Sequence, residues 1–271
     1  MSEYKFNIIL VGCGKMGGAM LSGWSRSGLI NTCTIVDPGL DKTSFSALDG
    51  ITVVDDYAKA PMNADMIIFA VKPQVMKDII PNYKAIVGDG PLVVSIAAGT
   101  PISVFTEVFG ETTRVMRTMP NTPAAIGHGM TAICPNSACT DQDVKNVQKF
   151  MACLGETILI HDEDSMNDIT AVSGSGPAYV FYMIEALTAA AEAQGFSHAN
   201  AVKLARQTIT GAAALTAQED TPPETLRENV TSPGGTTEAG LKVLMDIETG
   251  LLPLLKKTVQ AAADRSRELA E

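Results

Sequence analysis

The sequence predicts an α/β domain with a doubly wound, mostly parallel sheet, followed by an all-α domain. Three observations carry this expectation. Through residues 1–160, short β-branched runs alternate with helical patterns. Several of those runs are apolar throughout rather than alternating, as strands covered on both faces are. Between residues 178 and 217 the chain carries 13 alanines in 40 residues and no proline, a composition that favours helices and lets them approach closely. The expected domains are therefore 1–160 and 161–271, and the length of 271 residues accommodates both.

In chain order, strands are expected at 6–11, 34–36, 51–54, 66–71, 92–97 and 114–116, with edge strands at 130–134 and 157–160. Helices fit between them at 16–27, 73–86, 102–109 and 141–153. The second half reads as helices at 163–172, 177–194, 198–217, 222–230, 237–248 and 251–269. Gly195, Pro222–Pro223, the turn at 233–235 and Gly250 punctuate them. Alanine-rich helices with few large side chains build thin cores, so burial against a second copy of the chain, a homo-oligomer, is expected. Tyr179, Phe181 and Tyr182 lie on one turn and either line a small pocket or pack in the helix core.

Thirty acidic against 20 basic side chains give a formal charge of −10. The excess is uneven: 14 acidic against 12 basic over residues 1–160, net −2, and 16 against 8 over 161–271, net −8. Such a balance argues against nucleic acid and anionic membrane surfaces as partners, since both need a Lys/Arg-rich face. No run approaches the ~18 apolar residues of a membrane span. The apolar stretch at 8–11 is too short for a secretion signal and leads into glycines; a cytoplasmic location is expected. The five cysteines are scattered without a C-x-x-C, and the three histidines are isolated. Reduced thiols and no metal site follow.

Candidate binding residues begin at the first strand. Val11 is followed by Gly12-Cys13-Gly14-Lys15-Met16-Gly17, a G-x-G-x-x-G between strand and helix. Its first glycine permits a tight turn, the second lets backbone approach a pyrophosphate, and the third lets helix pack on strand. The helix N-terminus adds N–H groups and a positive dipole. A dinucleotide site is the consequence, with NADPH or NADH as the cofactor. Asp37 ends the second strand, 20 residues beyond Gly17. An acid there accepts hydrogen bonds from ribose hydroxyls and repels a 2′-phosphate, which favours NADH; no arginine follows, although Lys42 is within reach. Ligands in open α/β sheets sit beyond the carboxyl ends of strands. Ala70-Val71-Lys72-Pro73 and Ala97-Ala98-Gly99 occupy two such ends, and their small residues leave room for the second ribose. Asn121, within Met119-Pro120-Asn121-Thr122-Pro123 after the sixth strand, is a further cofactor-side candidate.

The helical half holds two glycine-rich segments that its helices do not require. One is Ser173-Gly174-Ser175-Gly176-Pro177-Ala178-Tyr179; the other is Thr231-Ser232-Pro233-Gly234-Gly235-Thr236-Thr237-Glu238. In the second, Gly234 and Gly235 expose backbone N–H groups and the following helix adds its dipole, which suits a small carboxylate. Thr237 either serves simply as the helix cap, a common role for threonine, or also contacts the ligand if its hydroxyl faces the cleft.

At these residues the chain resembles the Δ1-pyrroline-5-carboxylate reductase family. The stretch Asn229 to Thr237, followed by Gly240-Leu241 and Leu244, looks like that family's signature, and the other segments quoted above look like its motifs in order. The resemblance spans essentially the whole chain. It implies an N-terminal Rossmann domain, a C-terminal helical dimerisation domain, and NAD(P)H-dependent reduction of a cyclic imine to L-proline. It further implies that the substrate carboxylate sits on Gly234, Gly235 and Thr236, with Ser232 and Ser175 nearby and Thr237 beside the ring nitrogen as the catalytic residue. Dimers that associate further, commonly into decamers, and a usual preference for NADPH belong to the same implication. Asp37 departs from it, and so does the neighbourhood of Asp220, where a glutamate is expected. A β-hydroxyacid dehydrogenase shares the Gly-x-Gly-x-Met-Gly start but needs a lysine on its interdomain helix, and residues 168–183 contain none. A non-catalytic NAD(P)H sensor is the other alternative.

Overall fold

The fold is described from a computed structural model for residues 4–45, 47–88, 90–218 and 221–270; Asp220 lies outside them. Eight strands form one sheet in the order β3-β2-β1-β4-β5-β6-β7-β8. They are β1 (Phe6–Val11), β2 (Ile30–Val36), β3 (Ile51–Val54), β4 (Met66–Phe69), β5 (Leu92–Ser95), β6 (Val115–Pro120), β7 (Gly129–Pro135) and β8 (Gly155–Leu159). Every neighbouring pair is parallel except β6–β7. Crossovers between parallel strands usually run through a helix, and the chain supplies α1 (Lys15–Ser27), α2 (Pro73–Ile79), α3 (Lys84–Val87), α4 (Ser103–Phe109) and α5 (Asp141–Ala152).

The period of two along β1 shows why its sequence is apolar on every residue. Ile8 and Leu10 point into a core with Trp24 of α1 and Phe150 of α5, while Ile9 and Val11 point into the opposite one with Phe69, Tyr83 and Phe105. Trp24 is fully buried, and its Nε1–H donates to the Phe150 carbonyl at 2.9 Å. The helix expected over 73–86 instead tightens into a 3₁₀ turn at Ile80–Tyr83 between α2 and α3. Pro81 has no N–H to donate and its ring crowds the carbonyl four residues back.

The remaining helices are α6 (Ser165–Ile169), α7 (Gly176–Ala193), α8 (His198–Gln218), α9 (Pro223–Asn229), α10 (Thr236–Leu244) and α11 (Leu251–Ala270). After α6 the chain widens into a π turn over Thr170–Gly174. α10 stops short of its expected end because the Asp246 carboxylate takes the N–H groups of Glu248 and Thr249 and the Thr249 hydroxyl. Such local bonding competes with the helical pattern.

By packing, the chain divides into a sheet unit of residues 1–174 with 263–271, and a helical unit of 175–262. The expected boundary at residue 160 falls earlier. Met166 of α6 is buried with Ala132 and Cys134 of β7, and the end of α11 returns to the same unit. There Ser266 donates to Asn167 at 2.8 Å and Arg267 pairs with Asp168. A buried ion pair ties the unit further: Arg117 of β6, 4% exposed, meets Glu163 at 2.8 Å, and the same carboxylate takes the Ile102 N–H.

The helical unit is different in kind. Thr188, Ala201 and Ala205 are among its few buried residues. Phe181 and Tyr182 are 58% and 70% exposed, so neither packs in the core of the single chain. Leu187, Phe196, Val243, Ile247, Leu252 and Leu254 are exposed as well. Among the described residues, no helix is long and apolar enough to cross a membrane.

Candidate active site

In the sheet unit, the glycine loop is fixed from both sides. The Gly12 N–H donates to the Val36 carbonyl at 2.9 Å, and the Ala70 N–H donates to Val11 at 2.8 Å. Gly12 has a φ of +84°, and a Cβ there would stand 2.6 Å from Val71 Cγ1. A Cβ on Gly17 would stand 2.9 Å from the Gly12 carbonyl, so α1 could not pack this closely on the loop. Gly14, the N-cap of α1, is exposed and has no heavy atom within 4 Å of a built Cβ. The loop is therefore closed where it meets protein and open where an anion would lie. Lys15 and Met16 begin the helix there, and the first N–H groups of a helix have no partners within it.

Cys13 is buried, and burial, with a smaller contribution from Asp37, pushes its thiol up to about 11. It is a packed neutral group. Its N–H donates to Asp37 Oδ2 at 2.8 Å, and the Gly39 N–H donates to Oδ1 at 2.9 Å. Beside this carboxylate lies a cavity of about 420 Å³. Val71, Val75 and Ile79 form part of its wall together with Pro38, Tyr57 and Tyr83, and Asp37, Asp55 and Asp56 also line it. Apart from the glycine loop, Asp37 and Val71, these lining residues went unnoticed in the sequence. They come from separate stretches around 36–38, 55–57 and 71–83, a strand end, a turn and a helix with the 3₁₀ turn after it, and side chains scattered so widely leave no local motif. A larger hollow of about 700 Å³ lies between Phe6, Met66 and Leu92, at the amino ends of β1, β4 and β5. That is the end of the sheet opposite the one where ligands bind.

The other strand ends fall at the same edge. Ala70 and Val71 are half-buried against Gly12, Lys72 is the exposed N-cap of α2, and Pro73 is its first residue. Ala97 is buried, Ala98 exposed, and Gly99 has a φ of +64°. The Asn121 amide is engaged within the unit: Nδ2 donates to the Ser173 carbonyl at 3.1 Å and hydroxyl at 3.3 Å, and Oδ1 accepts the Met130 N–H at 2.9 Å. It braces the π turn.

In the helical unit, α10 begins one residue earlier than expected, at Thr236, with Gly235 as its N-cap. Thr237 is therefore not the cap. It is exposed in the first turn, and its hydroxyl makes no hydrogen bond among the described residues. Two of the expected backbone donors are already engaged: the Gly234 N–H donates to Glu238 Oε2 at 2.5 Å, and the Gly235 N–H to the Ser232 carbonyl at 3.0 Å. The unclaimed donors of this turn are the N–H groups of Thr236, Thr237 and Glu238, at the positive end of α10. Ser175, just before α7, makes no side-chain cap bond, and its carbonyl accepts the Ala178 N–H at 3.0 Å.

A glycine loop at the carboxyl edge of a doubly wound sheet, and an anion-ready helix start in a second unit short of core, define a dinucleotide-dependent oxidoreductase with a helical assembly domain. Residues 163–269 match the family model for pyrroline-5-carboxylate reductase dimerisation, and residues 7–99 match one described as NADP oxidoreductase, coenzyme F420-dependent. The pyrroline-5-carboxylate reductase of Methanosarcina acetivorans is 35% identical over 266 residues, covering 96% of this chain and 97% of the relative. The solved structure of a pyrroline-5-carboxylate reductase from Coxiella burnetii superposes with a TM-score of 0.92 at 33% identity, over 98% of this chain and 99% of that one. The Plasmodium falciparum pyrroline carboxylate reductase, solved with NADP bound, gives a TM-score of 0.83 at 28% identity, with 100% of both chains covered. The chain belongs to the pyrroline-5-carboxylate reductase family. Its helical part is the family's dimerisation domain, which makes it a homo-oligomer.

Proposed function

We propose that the chain reduces the C=N bond of Δ1-pyrroline-5-carboxylate to give L-proline, the last step of proline biosynthesis. The observation that carries this reading is the start of α10. Three backbone N–H groups, of Thr236, Thr237 and Glu238, stand unclaimed beside an uncommitted threonine hydroxyl. A small carboxylate docks on these N–H groups and the helix dipole, which explains how a unit rich in acids binds an anion. Ser232 and Gly234–Gly235 shape the loop, and Ser175 contributes a hydroxyl nearby.

Reduction adds a hydride to the imine carbon and leaves one more proton on the ring nitrogen than the neutral imine carried. The carbon accepts hydride well when that nitrogen is protonated or strongly hydrogen-bonded. Thr237 Oγ1 is the group assigned to the nitrogen, orienting an iminium or, with water, helping to deliver the proton. The reduced nicotinamide of NADPH or NADH supplies the hydride when bound. For that cofactor, Val11 and the Gly12–Gly17 loop with the first turn of α1 hold the pyrophosphate, and Asp37 meets the adenosine ribose. The segments Ala70–Pro73 and Ala97–Gly99 leave room for the nicotinamide half, while Asn121 acts as a positioning residue through Ser173. A dimer built through the helical unit, with dimers associating into a decamer, and a cytoplasmic location complete the reading.

The test is the loss of reduced-cofactor absorbance when purified protein meets pyrroline-5-carboxylate; no oxidation overturns the assignment. Thr237→Ala is expected to lower kcat/KM by about 10–100-fold, the scale of lost proton-transfer assistance, with Thr237→Ser retaining most of the rate. Unchanged kinetics in the alanine variant would remove Thr237 from its role.

A further inference from the structure

The segment after β5, which carries Ala97, Ala98 and Gly99, is held at three points. Where it leaves the sheet, the Ser95 carbonyl accepts the Thr118 hydroxyl of β6 at 3.0 Å. Where it turns into α4, the Ile102 N–H donates to Glu163 Oε1 at 2.9 Å. The same oxygen accepts Nη1 of Arg117 at 2.8 Å, and Arg117 stands opposite Ser95 in the sheet register. Both ends of the loop are thus referred to β6. Between them, Gly99 has a φ of +64°, and a Cβ on it would stand 3.4 Å from the Leu269 carbonyl near the end of α11. α6 joins these supports. Glu163 lies just before it, and Asn167 within it accepts from Ser266 of α11 at 2.8 Å, both residues being buried.

We infer that Glu163 is a positioning residue for hydride transfer: through Arg117 and the Ile102 N–H it fixes the loop of Ala97–Gly99, and with it the place of the nicotinamide half. The inference rests on the reduction reading above and deepens it. A loop N–H needs an acceptor, and water or a carbonyl would satisfy it. Here the acceptor is a carboxylate bound to a buried guanidinium, a charge-assisted and directional contact. Glu163 cannot turn away without leaving the Arg117 charge buried and unpaired, which is costly. Ile102 is therefore tied to the sheet core rather than to solvent. Neither Glu163 nor Arg117 touches the reacting atoms. Dinucleotide affinity, set mainly at the glycine loop, is independent of the pair, whereas the rate depends on it, because small errors in the approach of reacting atoms cost large factors.

The pair can be removed without stranding a charge, by replacing both members with uncharged side chains of similar size. Arg117→Met with Glu163→Leu takes away the acceptor of Ile102, and Arg117→Met with Glu163→Gln keeps one. In the intact oligomer, the first double variant should bind NADPH within about twofold of wild type by calorimetry, since the pyrophosphate site is untouched. Its Ile102 amide should exchange at least about tenfold faster, read by mass spectrometry, as the loop opens locally. Its kcat should fall by about 10–100-fold, and deuterium at the transferring position of the cofactor should slow turnover more than in wild type. The second double variant should restore most of the rate and the slow exchange. Unchanged kcat in the folded first variant overturns the inference, and so does an equal loss in both, which a merely structural pair would give. Rapid exchange of the Ile102 amide in wild-type protein overturns it even if neither variant folds. A wild-type protein that oxidises no cofactor is a separate result: it overturns the reduction reading, and the inference with it.

Discussion

The sheet unit and the helical unit both offer a helix N-terminus to an anion, and they prepare it with opposite means. At α1 the loop is held by tertiary packing. Gly12 is clamped between Val36 and Val71, Gly17 is pressed on Gly12, and strands gripped on both faces stand behind them. At α10 the loop is held by its own residues, with Glu238 closing on Gly234 and Ser232 on Gly235. Around it, Val243 and Ile247 lie exposed. One site is finished when its unit folds. The other has a local frame, and its apolar neighbours stay uncovered in the single chain. Precision at a binding site can come from the core or from the chain's own turn chemistry, and the second route ties function to assembly.

The strongest way to break this contrast is to charge the uncovered face. Phe181→Asp combined with Tyr182→Asp should weaken self-association by about 1,000-fold, since burying unpaired carboxylates costs several kcal/mol. Sedimentation would report it. Dinucleotide binding should stay within about twofold, and turnover should fall with the dimer. An intact dimer would mean that another face is the covered one. Gly12→Val attacks the other unit. With φ at +84° and Val71 in the way, it should weaken dinucleotide binding by about 100-fold and leave association unchanged. Normal binding would show that the loop is less constrained than its packing implies.

The smallest effect sharpens the contrast through pH. All five cysteines lie between residues 13 and 153, and the helical unit has none. Burial pushes the thiols of Cys13, Cys134 and Cys139 up to about 11 from an ordinary 9. A folded-state value above the unfolded one stabilises fully below pH 9, and that contribution is lost as pH rises through about 11. The urea midpoint of the sheet unit should therefore fall between pH 9 and 11. Trp24, the single tryptophan, lies fully buried in that unit and reports it by fluorescence. A flat midpoint would show that thiol burial contributes little.

How much of this was readable in the residues follows the same division. The strands were legible because parallel strands covered on both sides must be apolar at every position, as Ile8 to Val11 are. The glycine loop was legible because its spacing encodes a turn. Ends set by local competition were not: Pro81 cut a helix short, and Asp246 stopped α10 by capturing the next N–H groups. The threonine at 237 suggested a cap, yet Gly235 took that place and left the hydroxyl uncommitted. The place of Asp55 and Asp56 in the cavity wall depended on the end of β2, the turn at 55–57 and α2 meeting, which no window of sequence displays. The Asn121 motif was visible as a motif, while its bonds to Ser173 and Met130 needed the fold.

The position of β1 in the sheet also sets an order of events during folding. Its partners are β2 on one side and β4 on the other, so Val11 finds Phe69 only after nearly sixty intervening residues have closed a loop. The helices α7 and α8, neighbours in sequence, collapse on each other without that delay. Gly12 is held by Val36 and by the strand end at Ala70 and Val71, so its conformation is imposed only when both crossovers are complete. The glycine loop, although it directly follows β1, is thus among the last parts to take shape.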